Sequence, residues 1–472
     1  MQGLMETPLS PPPGNLYLSQ TSSKWKTIRS ILGLVIVLFF LVQIAVLCIS
    51  GFLDSDFDGD LGPSSPIQVI IGTLCSTPFL LLFLVLRRPK LAHIVRLDHN
   101  PEGSNAHLIK PSTLLQTPAL TTIKHHLVHN TGPLEIPPLK QLWMIFFLGT
   151  IISTICMIPL LFSSSLSVIL LFVLIAIPAW LIGFSTPVFA WWSTSNQYFG
   201  LKTTKRQGEW MLIAGMLSTF PALIINSLIS PIIINLLGID YGGPESLGYG
   251  MILFLSAPIG EELSKAAAVL LLSRFIDSSK RGFQIGFSVG LGFALLENMT
   301  YILSSLLTGE AVAISFIITT VLRAIGSIPG HATWTAITGY ALGHYIVTKK
   351  QSNSDMDNSE SQWVLFDKKT GSPISSSSMD KQEIILPKWL SAGNNKTIKI
   401  TKSPVKALLI AILCHGVWNG SMWLTGVLVI DNPMNLSFII QILVVVLLIS
   451  ILWFILRRII PSVFLNPDNP VA

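Results

Sequence analysis

Charge is what this sequence has least of: 11% of its 472 residues are Asp, Glu, Lys or Arg, whereas half are apolar. A soluble domain carries about 25% charged residues. With a mean hydropathy of +0.64, the deficit excludes a disordered chain and an ordinary cytosolic enzyme. Cysteine is scarce as well. Cys48, Cys75, Cys156 and Cys414 lie in or beside apolar runs with no Cys-x-x-Cys pair, so neither a disulfide framework nor a thiolate metal site is implied. A His-Glu-x-x-His word is also missing, which excludes a zincin-type site. The net charge of +6 comes from short clusters such as Lys24, Lys26 and Arg29, or Arg87, Arg88 and Lys90, set beside apolar runs. That placement is a membrane topology signal and not the basic stripe of a nucleic-acid binder.

Long apolar runs are what the chain does have. A helix needs about 20 apolar residues to cross a bilayer, and candidate spans fall at 31–49, 66–86, 142–161, 166–187, 211–236, 248–272, 283–306, 405–429 and 434–456. The first run follows a Pro/Ser-rich leader and has no small-residue cleavage site, so it is expected to be a retained helix. Residues 311–347 are ambiguous, because Gly326, Pro329 and Gly330 interrupt them. If 311–347 crosses once, the Lys-rich loop 349–403 and Arg457 and Arg458 lie inside, as positive charge favours; if it crosses twice, as its length allows, they lie outside. The expectation is therefore an all-alpha fold, a polytopic transmembrane helical bundle of about 10–11 segments in the cell membrane.

The chain divides accordingly. Residues 1–30 form an inside N-terminal tail, and 31–248 a first transmembrane region with an inside loop at 87–141. Residues 249–430 form a second region with an inside loop at 349–403, and 431–472 a last helix and tail. The first loop holds six of the nine histidines, His93, His99, His107, His125, His126 and His129, at spacings that match no metal motif, so they are expected to be solvated. In the second, an amphipathic piece near Ile384 to Leu390 is expected to lie on the headgroups. The outside turn Asp54-x-Asp56-x-Asp58-Gly59 matches the first half of a calcium loop, but Ser65 stands where the twelfth-position Glu belongs. Calcium binding at Asp54, Asp56 and Asp58 is a weak candidate, and a solvated acidic turn is the main expectation.

The second half buries ionisable residues, each a site hypothesis because charge at membrane depth is costly. Glu261-Glu262-x-x-Lys265 puts one lysine within helical reach of two carboxylates. Phe293-x-x-x-Glu297 follows a face of Gly286, Gly290 and Gly292, which could carry Glu297 to within reach of Glu261 and Glu262. Arg323 precedes the break, and His331 opens the helix after it, where free N–H groups can hold an anionic oxygen. His415 and Asn419 share one side of a later helix. Each alone suits a structural ion pair or a helix-bonding pair. Together they suit hydrolysis by a carboxylate- and imidazole-held water, with or without a divalent metal. A proton- or ion-coupled transporter and a non-catalytic membrane scaffold are the alternatives.

In their order, these four motifs resemble the PrsW family of intramembrane proteases, which is similar in its core to the CAAX prenyl protease and bacteriocin-immunity superfamily. The resemblance covers about 250–425. It implies a protease that cuts a membrane protein, possible substrates being anti-sigma-factor-like. It also implies Glu261 as water-activating base, Glu262 as its partner or second acid, and Lys265 as charge organiser. Glu297, His331 and His415 would ligate metal or position water and oxyanion, with Asn419 beside His415 and Arg323 supporting the break. A metal, zinc in the first instance, would then be held by Glu261, Glu297, His331 and His415. Where the prenyl proteases place histidine in the second motif, this chain has Glu297, so metal and oxyanion roles do not transfer directly.

Overall fold

The computed structural model describes residues 24–53, 62–86, 91–110, 113–129, 133–163, 165–354, 365–366, 373–374, 386–391, 398–429 and 433–465. The candidate calcium residues Asp54, Asp56 and Asp58 lie outside them, as do residues 1–23 and most of the loop 349–403.

Apolar runs with no water to satisfy their backbone must become helices. The first hairpin comprises α1 (Lys24–Leu53) and α2 (Pro66–Leu86), and α2 turns Ile67, Ile70, Ile71, Leu74, Leu81 and Leu84 outward. After two strands described below come α3 (Leu139–Met157) and α4 (Leu166–Tyr198), then α5 (Lys205–Leu217), α6 (Thr219–Ile224) and α7 (Ser230–Leu236). The second half holds α8 (Leu247–Met251), α9 (Ala257–Leu271), α10 (Ser279–Leu306), α11 (Val312–Leu322) and α12 (Ile328–Ser354), then α13 (Pro404–Leu428) and α14 (Met434–Phe464). Among the described residues nine helices are long and apolar enough to span a membrane. The stretch Leu247–Leu271, interrupted once, makes a tenth segment.

The ambiguous segment is a single rod. A π-helical turn, Arg323–Ser327, joins α11 to α12 without reversing the chain. At 1.5 Å per residue the rod is roughly 60 Å long, about twice the hydrocarbon thickness. It therefore counts as one candidate span that is longer than the bilayer core.

The centre of the bundle is α10, the least apolar of the nine spans and by far the most buried. It can be central because one side is nearly bare: an added Cβ at Gly282, Gly286 or Gly290 would meet the carbonyl oxygen of Gly339, Thr335 or His331 on α12 at 2.3–2.4 Å. The helices pack backbone to backbone along this row. The glycine face thus seats α10 against α12, with Gly292 facing Leu212 and Gly215 of α5.

Two segments expected to be inside loops carry strands. Residues 91–110 and 113–129 form an antiparallel pair, β1 (Leu91–Lys110) and β2 (Thr113–His129), paired Leu91↔His129 through His99↔Thr121 with irregularities beyond. The bundle itself stays all-helical. Within the hairpin His107 is buried, its Nε2 2.7 Å from Thr121 Oγ1, so this histidine is partnered and not solvated. A two-residue pair, β3 (Leu365–Phe366) and β4 (Pro373–Ile374), lies in the second loop. At the described end of the amphipathic piece Leu390 is fully buried, while Trp389 touches Trp191 and Trp453 and stays exposed on its other side. The bundle thus covers Leu390 and gives Trp389 aromatic neighbours on one side.

Candidate active site

Three helices and one rod converge on a cluster of charge. Glu261, Glu262 and Lys265 stand on α9, which follows a π-turn at Ile252–Ser256 and has Pro258 in its first turn. Lys265 is completely buried. Its Nζ donates to Glu262 Oε1 at 2.9 Å, to Glu261 Oε2 at 3.2 Å and to His331 Nδ1 at 2.9 Å, and it lies 3.8 Å from the centre of the Phe293 ring. All three ammonium protons are spent, as burial of a charge requires.

These bonds set the histidine tautomers, because an ammonium only donates and a carboxylate only accepts. His331 Nδ1 accepts from Lys265, so the neutral ring carries its proton on Nε2. That nitrogen lies 2.7 Å from Glu297 Oε2. His415 Nδ1 lies 3.1 Å from Glu262 Oε1 and donates to it, which leaves the lone pair on Nε2, 3.7 Å from Glu261 Oε2. The two imidazoles meet edge to face with centroids 4.9 Å apart.

The late helix reaches this cluster through two small residues, Gly416 and Gly420, which both face Phe254. The carbonyl of Phe254 is the one that Pro258 displaces from the helical ladder, and a Cβ on Gly416 would sit 2.5 Å from its oxygen. Glycine next to His415 lets α13 close on α9. Asn419 lies half-buried one turn further along α13, outside the bonded cluster.

Glu297 goes elsewhere than its glycine face had implied. Because that face meets α12, Glu297 reaches His331 and, through Oε1, Arg323 Nη2 at 2.9 Å, and it does not join Glu261 and Glu262. Arg323 also donates through Nε to Asn298 and stacks its guanidinium 3.8 Å from the centre of the Tyr301 ring. Sequence reasoning missed Trp334, which stacks on His415 at 4.9 Å and 23°, and Thr335, whose hydroxyl lies 3.4 Å from Glu262 Oε2. It also gave no role to Phe293. Their only signal is spacing: Trp334 and Thr335 are three and four residues past His331, on the same side of α12.

Access is graded across the cluster. The side chains of Lys265, Glu262 and His415 are 0–2% exposed, whereas Glu261 is 13% and Glu297 23% exposed. One donor atom each of Glu261, His331 and His415 lies within 4.8 Å of the others. Two imidazoles and a carboxylate are the donor set of a hydrolytic zinc site, so in kind these residues fit a divalent metal.

A multi-pass bundle that buries acid, base and imidazole together, with one edge open, has the arrangement that membrane-embedded hydrolysis needs. The comparisons point the same way: residues 206–361 match the model described as PrsW family intramembrane metalloprotease. That segment carries Glu261, Glu262, Lys265, Glu297, Arg323 and His331, while His415 and Asn419 lie beyond it. No curated protein and no solved structure matches the chain. Over residues 206–361 the chain is thus similar to the PrsW family of intramembrane metalloproteases.

Proposed function

We propose that Glu261 is the base that activates the hydrolytic water, and that His415 Nε2 holds the same water. The observation that carries this reading is the graded access. Of the two adjacent glutamates, Glu261 has the accessible carboxylate, while Glu262 is sealed against Lys265 and His415. One water spans the 3.7 Å between Glu261 Oε2 and His415 Nε2.

Glu261 takes a proton from this water as its oxygen bonds to the scissile carbonyl carbon, and the carbonyl electrons move onto the oxygen. His331, fixed through Nδ1 by Lys265, donates its Nε2–H to Glu297 in the resting site and redirects it to that oxyanion as the substrate carbonyl takes the place of Glu297, which stays paired with Arg323. Asn419 supplies a further amide donor beside His415. As the oxyanion collapses the C–N bond breaks, and the proton on Glu261 passes to the leaving amine. Glu262 does not react; it orients His415. Glu261, His331 and His415 would hold a divalent metal such as zinc, which when bound polarises the scissile carbonyl and acidifies the water. Substrates are single-pass membrane proteins of the anti-sigma-factor kind, cut within or near the bilayer.

The test is cleavage by the purified protein in lipid, given a pool of single-pass substrates. Glu261→Gln is expected to lower the rate by at least about 10³-fold, the upper part of the range for a general base. A residual rate within tenfold of the parent would remove Glu261 from the role. Exhaustive chelation separates metal-assisted from metal-free hydrolysis.

A further inference from the structure

Lys265 occupies the space between donors that a divalent metal would share. Two of the three metal-competent side chains, Glu261 through Oε2 and His331 through Nδ1, are already bonded to its ammonium, and the third, His415, is tied to the same Glu262 oxygen that Lys265 uses. The ammonium is not a bystander that could drift aside. It has no exposed surface, all three of its protons are engaged, and the Phe293 ring lies 3.8 Å away. With Lys265 in place, His331 has no free lone pair to offer, because Nδ1 accepts from the ammonium and Nε2 carries the proton toward Glu297.

Charge leads to the same conclusion. Glu261, Glu262 and Glu297 are answered by Lys265 and Arg323, leaving one negative charge unbalanced when both imidazoles are neutral. A divalent cation added to that set over-neutralises it and lies beside a fixed positive charge in a low-dielectric interior, where repulsion is strong. Without Lys265 the same cation would balance the cluster.

We propose that Lys265 is a tethered cation that competes with divalent metal for Glu261 and His331, so that ammonium and metal are alternative occupants of one donor set. Lys265 is thereby a positioning residue that holds the centre assembled without metal and sets how tightly metal binds. The proposal rests on the reading of this cluster as the hydrolytic centre, but its test reads metal binding and not turnover.

The full-length protein in lipid nanodiscs is titrated with Zn²⁺ by calorimetry and with Co²⁺ by visible absorption. Lys265→Met is expected to bind one Zn²⁺ at least about tenfold more tightly than the parent, with a tetrahedral Co²⁺ spectrum, and Glu261→Gln added to that variant abolishes the gain. Lys265→Arg, which keeps the charge, stays within threefold of the parent. Because removing Lys265 alone strands Glu262, the charge-balanced pair Lys265→Met with Glu262→Gln is measured as well; it frees the same donor atoms at the parent's net charge and shows a smaller gain in the same direction. Unchanged or weaker binding in both lysine-free variants, or a gain that survives Glu261→Gln, overturns the proposal. Cleavage lost in Glu261→Gln while affinity is insensitive to Lys265 would leave the protease standing and the competition refuted.

Discussion

Two neighbouring glutamates on one helix have opposite assignments because α9 turns them to different surroundings. Glu262 is sealed, and it binds Lys265 and His415 with one oxygen while Thr335 approaches the other. Removing one partner of a buried pair leaves an uncompensated charge and costs about 3–5 kcal/mol. Glu262→Gln is therefore expected to destabilise the protein by an amount near the lower end, since Lys265 keeps Glu261, and to lower cleavage as His415 loses its acceptor. Glu261→Gln, at the accessible edge, should abolish cleavage with a much smaller loss. Thermal unfolding in detergent beside the cleavage assay distinguishes them; equal melting shifts would contradict the division of roles. At this scale the sequence was informative about identity and poor about pairing. Scarcity of charge singled out Glu261, Glu262, Lys265, Glu297, His331 and His415, and i, i+3 and i, i+4 spacing gave the lysine its two carboxylates. No local rule told Glu297 to choose His331 and Arg323, because that choice follows from which helix the glycine row meets.

The elements that carry the site share a construction. The π-turns Ile225–Ile229, Ile252–Ser256 and Arg323–Ser327 each end two residues before a proline, Pro231, Pro258 and Pro329. A helical proline clashes with the carbonyl four residues back and donates nothing to it, and widening the turn accommodates the ring without reversing the chain. Carbonyls freed in this way need donors from elsewhere. Ile325 O receives the Trp453 indole at 2.8 Å, and Ala324 O receives Trp191 at 3.1 Å. In the first turn the Ser230 hydroxyl adds a bond of 2.7 Å to Ile225 O, which already accepts the Ser230 N–H, and it also bonds Ser256 of the second turn. The break at Gly326, Pro329 and Gly330 was thus legible, but its form was not, because the indoles that make a straight rod affordable come from helices more than a hundred residues away. Trp453→Phe keeps the ring and removes the donor, leaving a buried carbonyl unpaired at about 1–3 kcal/mol. The expected result is a lowered melting temperature together with slower cleavage, since the same turn positions Arg323 and His331. A stability loss with an unchanged rate would separate the turn from the site.

For the whole molecule, an even number of crossings would place both ends and the loop 349–403 on one side, and the docked end of that loop makes the topology measurable. Arg457 Nη2 donates to the carbonyls of Lys388 and Ser391, both at 3.1 Å, holding the segment while Leu390 is buried and Trp389 packs beside Trp191 and Trp453. The Lys388 carbonyl is itself the bond that trypsin attacks, so the contact that docks the segment also shields it. Losing a charged donor to these carbonyls weakens the closed form by about 1.5–3 kcal/mol, which raises the open population roughly ten- to hundredfold. Proteolysis of a locally opening segment follows that population when closing is faster than cutting. Arg457→Gln should therefore be cut after Lys388 at least about tenfold faster than the parent, with the rest of the bundle intact. In sealed vesicles the acceleration is expected only when trypsin reaches the side that carries Lys24, Lys26 and Arg29, the side that basic flanks favour. Cleavage after Lys388 from the opposite side would require an odd number of crossings, and the rod Val312–Ser354 would then have to be reversed at its π-turn.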